Sequence, residues 1–96
     1  MIDRNSKPIL NPDLVLRQEF DDWAVLFDPN SGEAYALDPV GVFIAQRLDG
    51  NKSIMQITRE LSEFFENIPP EADEDALVFV NSLLEKEMAG FDSKKG

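Results

Sequence analysis

The sequence predicts an α+β fold in which three antiparallel strands are followed by three helices. Two observations indicate this order. Short apolar runs separated by turn-forming residues occupy the first part of the chain, which is typical of a β-meander. In the second part, apolar residues recur at helical spacing, and capping or acidic residues precede each segment. The 96 residues are enough for one domain with one core.

Three short strands are predicted, near residues 13–19, 23–28 and 33–37. In the first of them, apolar and polar side chains alternate, as expected for a strand with one buried face. Asp21 and Asp22 predict the turn after it, and the run DPNSG at 28–32 predicts the turn between the other two. A meander of this size is stable only when other elements cover one of its faces.

The first predicted helix, near residues 39–49, has favourable residues at both ends. Asp38 is expected to cap its N-terminus. Pro39 takes the first helical position, where the missing proline N–H costs nothing. Gly50 is predicted to close the helix, because glycine readily adopts the left-handed conformation that often follows one.

The second and third helices carry apolar stripes. Ser53 and Gln56 predict a capping box at the start of the second helix, near residues 54–66. The third is predicted to begin between residues 71 and 75, where acidic residues complement the helix dipole, and to end before Gly90. Its apolar arc covers about half of the circumference, whereas one core-facing stripe needs little more than ~100°. The excess predicts either packing against both other helices or a groove beside the sheet edge.

The predicted domain covers residues 12–91. Residues 1–11 and 92–96 are predicted to be flexible segments, because they are polar and lie at the two ends of the chain. The sequence has no signal peptide and no apolar run near the roughly 20 residues that span a bilayer. We therefore expect a cytoplasmic protein without a membrane partner.

Composition argues against most catalytic classes. The chain has no cysteine and no histidine, which removes thiolate nucleophiles, cysteine metal sites and the commonest general base. Its acidic clusters lie at a turn and at a helix start, where solvated carboxylates are usual, and no calcium loop is present. The sequence therefore predicts no catalytic residue, no metal site, no cofactor and no enzymatic activity.

The net charge of −10 points to a particular kind of partner. Nucleic-acid binding depends on neutralising phosphates with lysine and arginine, and the nine basic residues here are scattered. Nucleic acid is therefore not expected as a partner. A neutral or basic peptide fits the charge better.

The predicted meander offers a place for such a peptide. If its strands run in sequence order, the first and third are edges, and an edge strand presents unpaired N–H and C=O groups. Four strand-addition hydrogen bonds contribute about 2–6 kcal/mol, less than the roughly 8 kcal/mol of micromolar binding. Apolar contacts must add to them, and the wide flank of the third helix can supply these if it lies beside the third strand.

Several short motifs follow one another in a characteristic order. They are Leu37-Asp38, Asp49-Gly50, Ile57, Asp75 and the run FVNSL at 79–83. In order and spacing they resemble the coenzyme PQQ synthesis protein D (PqqD) family, the peptide-recognition domains of ribosomal peptide natural-product pathways. The resemblance covers roughly residues 12–90. The stretch 21–50 looks closer still to one subgroup, the small protein of the SynChlorMet cassettes, which accompanies radical SAM enzymes.

The resemblance implies a winged-helix-like domain that binds the leader part of a precursor peptide and presents it to a radical SAM modifying enzyme. The leader is expected to add as a strand beside the third strand and to rest against the third helix. Carried over to this chain, the site comprises Ala34, Tyr35, Ala36 and Leu37 on the strand and Leu77, Val80, Asn81 and Leu84 on the helix.

Two other functions remain open on the sequence. A winged-helix DNA-binding regulator has similar strand and helix content, although the acidic third helix and the net charge argue against it. A structural subunit that only docks on an enzyme would need no leader peptide.

Overall fold

The computed structural model describes residues 2–91, and it confirms the predicted α+β fold. Its elements, in chain order, are β1 (Ile9–Leu10), β2 (Val15–Gln18), β3 (Ala24–Phe27), β4 (Ala34–Leu37), α1 (Pro39–Gln46), α2 (Ile54–Phe64), α3 (Ala72–Glu85) and β5 (Ala89–Gly90). The predicted C-terminal tail, residues 92–96, lies outside the described residues. Strands β2, β3 and β4 form an antiparallel sheet in sequence order, which places β2 and β4 at its edges.

Both predicted turns of the meander are confirmed. Asp21 and Asp22 have φ values of 59° and 65°, and the N–H of Trp23 donates to the carbonyl of Phe20 at 3.1 Å. Positive φ at both central residues is the type I′ geometry, whose twist matches that of the flanking strands. The turn from β3 to β4 uses Gly32, at φ 80°. These local signals fix the register of the sheet.

Helix α1 begins as predicted. The Oδ1 atom of Asp38 accepts a hydrogen bond from the N–H of Gly41 at 2.8 Å, and Pro39 is the first helical residue. The helix ends at Gln46, however, earlier than the predicted residue 49. Gly50 does adopt a left-handed conformation, with φ 82°, but it does so in the following loop.

The early end of α1 has a cause that is distant in sequence. The N–H of Leu48 donates to a carbonyl only three residues back, and its own carbonyl accepts from the N–H of Leu10 at 2.9 Å. Gly50 donates to the carbonyl of Pro8 at 3.1 Å. The chain after α1 therefore pairs with the N-terminal segment, and these bonds replace a further turn of helix.

The other two helices begin where they were predicted to begin. Ser53 and Gln56 form both hydrogen bonds of the capping box, at 2.8 and 3.1 Å. Helix α3 starts at Ala72, within the predicted interval, and three acidic residues lie in its first turn. Those carboxylates stabilise the helix, because their negative charges lie beside the positive end of its dipole.

The N-terminal segment, predicted to be flexible, makes regular contacts in the structure. Strand β1 pairs antiparallel with β5, with Ile9 opposite Gly90. The carbonyls of Arg4 and Ser6 accept hydrogen bonds from the start of α2, at 3.0 and 3.1 Å. Ile2 packs against the core. Local sequence patterns do not report these contacts, because they join opposite ends of the chain.

The core lies between one face of the sheet and the three helices. The sheet contributes Ala24, Leu26 and Leu37, and the helices and the final turn contribute residues that include Ile54, Ile57, Val80, Leu83 and Met88. None of the helices within residues 2–91 has the length and apolar character needed to cross a membrane.

A carboxylate joins α1 to α2. The Nε of Arg47 lies 3.0 Å from Oε1 of Glu60, and the ammonium of Lys52 bonds to the other oxygen. The hydrogen bond from Lys52, with a smaller contribution from Arg47, lowers the pKa of Glu60.

Candidate peptide-binding site

Strand β4 is an edge of the sheet, and nothing in residues 2–91 pairs with its outer side. At its start, the N–H of Asp28 donates to the carbonyl of Glu33 at 2.9 Å. Because backbone groups alternate in direction along an antiparallel strand, Tyr35 then bonds to β3. Ala34 and Ala36 direct their N–H and C=O groups away from the sheet. The edge therefore offers two donors and two acceptors.

The side chains of β4 also alternate. Ala34 and Ala36 are exposed on the outer face, while Tyr35 and Leu37 point towards the helices. Leu37 is only 1% exposed and belongs to the core, whereas Tyr35 is half-buried. A strand that adds to β4 will direct every second side chain to the helix side, in line with Tyr35 and Leu37.

The contacts of Tyr35 show which flank of α3 faces this edge. Its ring meets the ring of Phe79 edge to face, with centroids 6.2 Å apart and planes at 67°. The Nζ of Lys86 lies 5.6 Å from the centre of the Tyr35 ring. Phe79 and Lys86 are two helical turns apart on the same flank. These three residues mark where this flank of α3 faces β4, and the surface beside them is called here the edge groove.

The helix residues predicted for the site lie elsewhere on α3. Val80 is 0% exposed and is part of the core. At ~100° per residue, Leu77, Asn81 and Leu84 lie on the opposite flank from Phe79. Asn81 is exposed, and Leu77 and Leu84 are partly buried against the core. The structure therefore brings Ala34, Tyr35 and Ala36 together with a different set of helix residues.

The N-terminal segment lies against the first half of that opposite flank. Leu77 lines a surface cavity together with Met55 of α2 and residues 2–5. The Nε of Arg4 lies 3.2 Å from Oδ2 of Asp73, which holds the segment against the start of α3. The wide apolar arc that the sequence predicts is thus divided between the core, the N-terminal segment and the edge groove.

A pocket of about 350 Å³ opens at the C-terminal end of β4. Its walls are mostly apolar and come from α1, from Leu61, from the loop before α3 and from the first half of α3. The carboxylates of Asp38 and Asp75 are the charged groups in its lining. Phe79 lines this pocket and also contacts Tyr35 in the edge groove, so the two adjoin at this residue. We call it the end pocket.

Comparison with known proteins identifies the family. The sequence pattern of the family described as "Coenzyme PQQ synthesis protein D (PqqD)" matches residues 24–89, which is more than half of the chain. The chain belongs to the PqqD family.

Curated relatives of this PqqD-family protein cover nearly its whole length. A "PqqA binding protein" of Xanthomonas axonopodis pv. citri (strain 306) is 30% identical over 89 residues, which are 91% of this chain and 94% of the relative. A protein of the same description from Xanthomonas euvesicatoria pv. vesicatoria (strain 85-10) is 29% identical over the same share of each chain.

Two solved structures resemble the PqqD-family domain. "Lasso peptide synthetase B1 complexed with the leader peptide" has a TM-score of 0.71 and 31% identity, and the match covers 88% of this chain and 98% of that chain. "TbiB1 in Complex with the TbiA(beta) Leader Peptide" has a TM-score of 0.70 over 92% and 99%, and at 23% identity it supports the fold alone. The family resemblance predicted from the motifs is confirmed.

Two residues of the edge groove in this PqqD-family protein, Phe79 and Lys86, are not among the site residues that the resemblance implies. A signal for them does exist, because residues seven apart lie on the same helix flank. Nothing in the sequence shows which of the two flanks of α3 faces β4.

Proposed function

We propose that this protein binds the leader part of a ribosomally made precursor peptide as a strand added to β4. The observation that carries the proposal is the open edge at Ala34 and Ala36, which lies beside the aromatic rings of Tyr35 and Phe79. A relative described as a PqqA binding protein and a 31% identical structure that contains a leader peptide support it. Strand addition at a sheet edge is a common mode of peptide recognition.

Magnitudes favour a peptide that also buries side chains. The two outward donors and two outward acceptors contribute about 0.5–1.5 kcal/mol per hydrogen bond, or about 2–6 kcal/mol together. This total falls short of the roughly 8 kcal/mol of micromolar binding. Each apolar side chain buried against Tyr35 and Phe79 or in the end pocket adds about 1.5–3 kcal/mol. Two such side chains bring the total into the micromolar range when the cost of ordering the peptide is small.

The residues in this proposal are those that border the edge groove. Ala34 and Ala36 bond to the peptide backbone, and Tyr35, Phe79 and Lys86 contact its side chains. The other predicted residues are assigned supporting roles. Leu37 and Val80 support the groove from the core. Leu77, Asn81 and Leu84 lie on the opposite flank of α3, where Leu77 adjoins the N-terminal segment.

We further propose that the protein is a non-catalytic, cytoplasmic partner that presents its precursor to a radical SAM enzyme. The support is the family resemblance, together with a site built from backbone groups, aromatic rings and one lysine. Pull-downs of the radical SAM enzyme with and without the precursor distinguish presentation from simple docking. Equal recovery in both would favour a structural subunit that needs no leader.

The DNA-binding alternative gains no support from the arrangement of charges. The first turn of α3 carries Asp73, Glu74 and Asp75, and acidic side chains repel phosphates. A salt-sensitive shift of duplex DNA would be needed to restore this alternative.

Backbone NMR tests the peptide proposal directly. Titrating isotopically labelled protein with the leader region of the short peptide encoded beside its gene should move the amide signals of residues 34–36, Phe79 and Lys86. The signals of Leu77 and Asn81 should move much less, because they lie on the other flank. A scrambled peptide of the same composition is the control. An unchanged spectrum at high peptide excess would rule the proposal out.

A further inference from the structure

We infer that the end pocket receives a lysine or arginine side chain of the bound peptide. The inference rests on the proposed function, because a peptide must lie along β4 to place a side chain there. It adds a chemical preference at one position of the ligand, and it assigns Asp38 and Asp75 to that preference.

The shape and lining of the end pocket suit a long side chain with a charged tip. At about 350 Å³, it is near the lower end of the ~300–1,000 Å³ of typical ligand pockets. Apolar residues such as Ile44, Leu61 and Ile68 form most of the wall. Lysine and arginine bury an apolar stem on such surfaces and keep the charged group beside a polar partner.

The two carboxylates have no cation beside them within the part of the chain that the structure describes. The ion pairs there are Arg4–Asp73, Arg17–Glu19, Arg47–Glu60 and Lys52–Glu60. Asp38 uses Oδ1 to cap α1, and its other oxygen is free to accept from a ligand. Asp75 lies in the first turn of α3, where its negative charge interacts favourably with the positive end of the helix dipole. This interaction uses no hydrogen bond, so both of its oxygens are available.

Asp38 and Phe79 both lie beside Gly41 of α1. A Cβ atom at Gly41 would be 3.3 Å from Oδ1 of Asp38 and 3.5 Å from Cζ of Phe79. The absence of a side chain at Gly41 therefore keeps α1 close to both residues. A side chain that passes Phe79 from the edge groove reaches the carboxylate of Asp38 within the same small region.

The register of an added strand selects the peptide position. Residues directly opposite each other in a sheet point to the same face, so the peptide residue opposite Leu37 points to the helix side. Leu37 directly precedes Asp38, which lines the end pocket, so the peptide residue opposite Leu37 lies at that pocket. The peptide residue opposite Tyr35, two positions away, points towards Phe79 and Lys86. The preferred ligand thus has a basic residue opposite Leu37 and a non-basic residue opposite Tyr35.

A display experiment with peptides of random sequence tests this preference. The peptides are selected on the native protein, on Asp75→Asn and on Glu74→Gln. Glu74→Gln is the matched control, since it removes one charge from the same helical turn but lies outside the end pocket. We expect one fixed position to be rich in lysine or arginine for the native protein and the control, and not for Asp75→Asn.

Affinity measurements on one selected peptide make the test quantitative. Replacing its conserved lysine with norleucine keeps the apolar stem and removes the charge. The native protein and Glu74→Gln should lose about two- to fivefold in affinity on this change, as expected when one ion pair to an exposed carboxylate is removed. For Asp75→Asn the loss should be much smaller, because the two changes remove the same interaction. With native protein, added salt should weaken the lysine peptide more than the norleucine peptide.

The outcomes separate this inference from the proposed function. Selected peptides that shift the signals of residues 34–36 but show no basic preference and bind equally well with norleucine would overturn the inference alone. Failure to select any peptide, combined with an unchanged spectrum on adding the leader, would overturn the proposed function as well. If Asp75→Asn does not fold, the salt dependence of the two peptides on native protein decides the question.

Discussion

Replacing Ala36 with proline should weaken peptide binding by more than about tenfold while leaving the protein folded. Ala36 points its N–H away from the sheet, so proline removes a donor to the peptide and no bond to β3. The proline ring also occupies the space where the added strand would lie. Isothermal titration calorimetry gives the affinity, and thermal melts followed by circular dichroism report the fold.

A proline on the opposite edge is the matched control. The N–H of Glu19 donates to the carbonyl of Trp23 at 2.8 Å, so by alternation Gln18 on β2 also points its N–H away from the sheet. Gln18→Pro should leave peptide affinity nearly unchanged. If Gln18→Pro abolishes binding and Ala36→Pro does not, the peptide adds to β2 instead. Ala36→Val, which keeps the N–H, should bind like the native protein.

The second large effect is expected from a pair of neighbouring leucines on α3. Leu83 is 0% exposed, whereas Leu84 is only partly buried, on the flank away from β4. Leu83→Ala should lower the free energy of unfolding by about 2–5 kcal/mol, because it removes buried methyl groups and leaves a cavity. Leu84→Ala should cost clearly less. Urea denaturation followed by circular dichroism measures both values.

The same pair tests the location of the site. Because Phe79 and Lys86 face Tyr35, Leu84 points away from the edge groove, and Leu84→Ala should leave peptide affinity nearly unchanged. A clear loss of peptide affinity with unchanged stability would show that Leu84 contacts the peptide. The site would then lie on the flank of α3 that the family resemblance implies. Equal losses of stability for both variants would show that Leu84 is a core residue.

Features determined by neighbouring residues could be predicted from the sequence. Asp38 and Ser53 cap their helices because each side chain reaches an N–H group three residues ahead. Asp21 and Asp22 form the turn after β2 because short polar side chains tolerate positive φ. Short connections keep the strands in sequence order, and this order alone makes β4 an edge.

Features that depend on distant residues could not be predicted. The pairing of β1 with β5 and the early end of α1 both require hydrogen bonds to the N-terminal segment. The end pocket likewise combines α1, α2, α3 and the loop before α3. A pattern of hydrophobic residues records which side chains are buried, and it does not record which partners bury them.

By itself, the sequence determined the kinds of element, their order, the helix caps, the turns, the acidic surface and the open edge at β4. Only the tertiary structure decided which flank of α3 faces that edge. The apolar arc of α3 was wide enough for either flank, and the N-terminal segment occupies the side of Leu77. Phe79 and Lys86 are therefore left beside Tyr35. The physical reason is that the rotation of a helix about its axis is set by packing with distant parts of the chain, which a local sequence pattern does not encode.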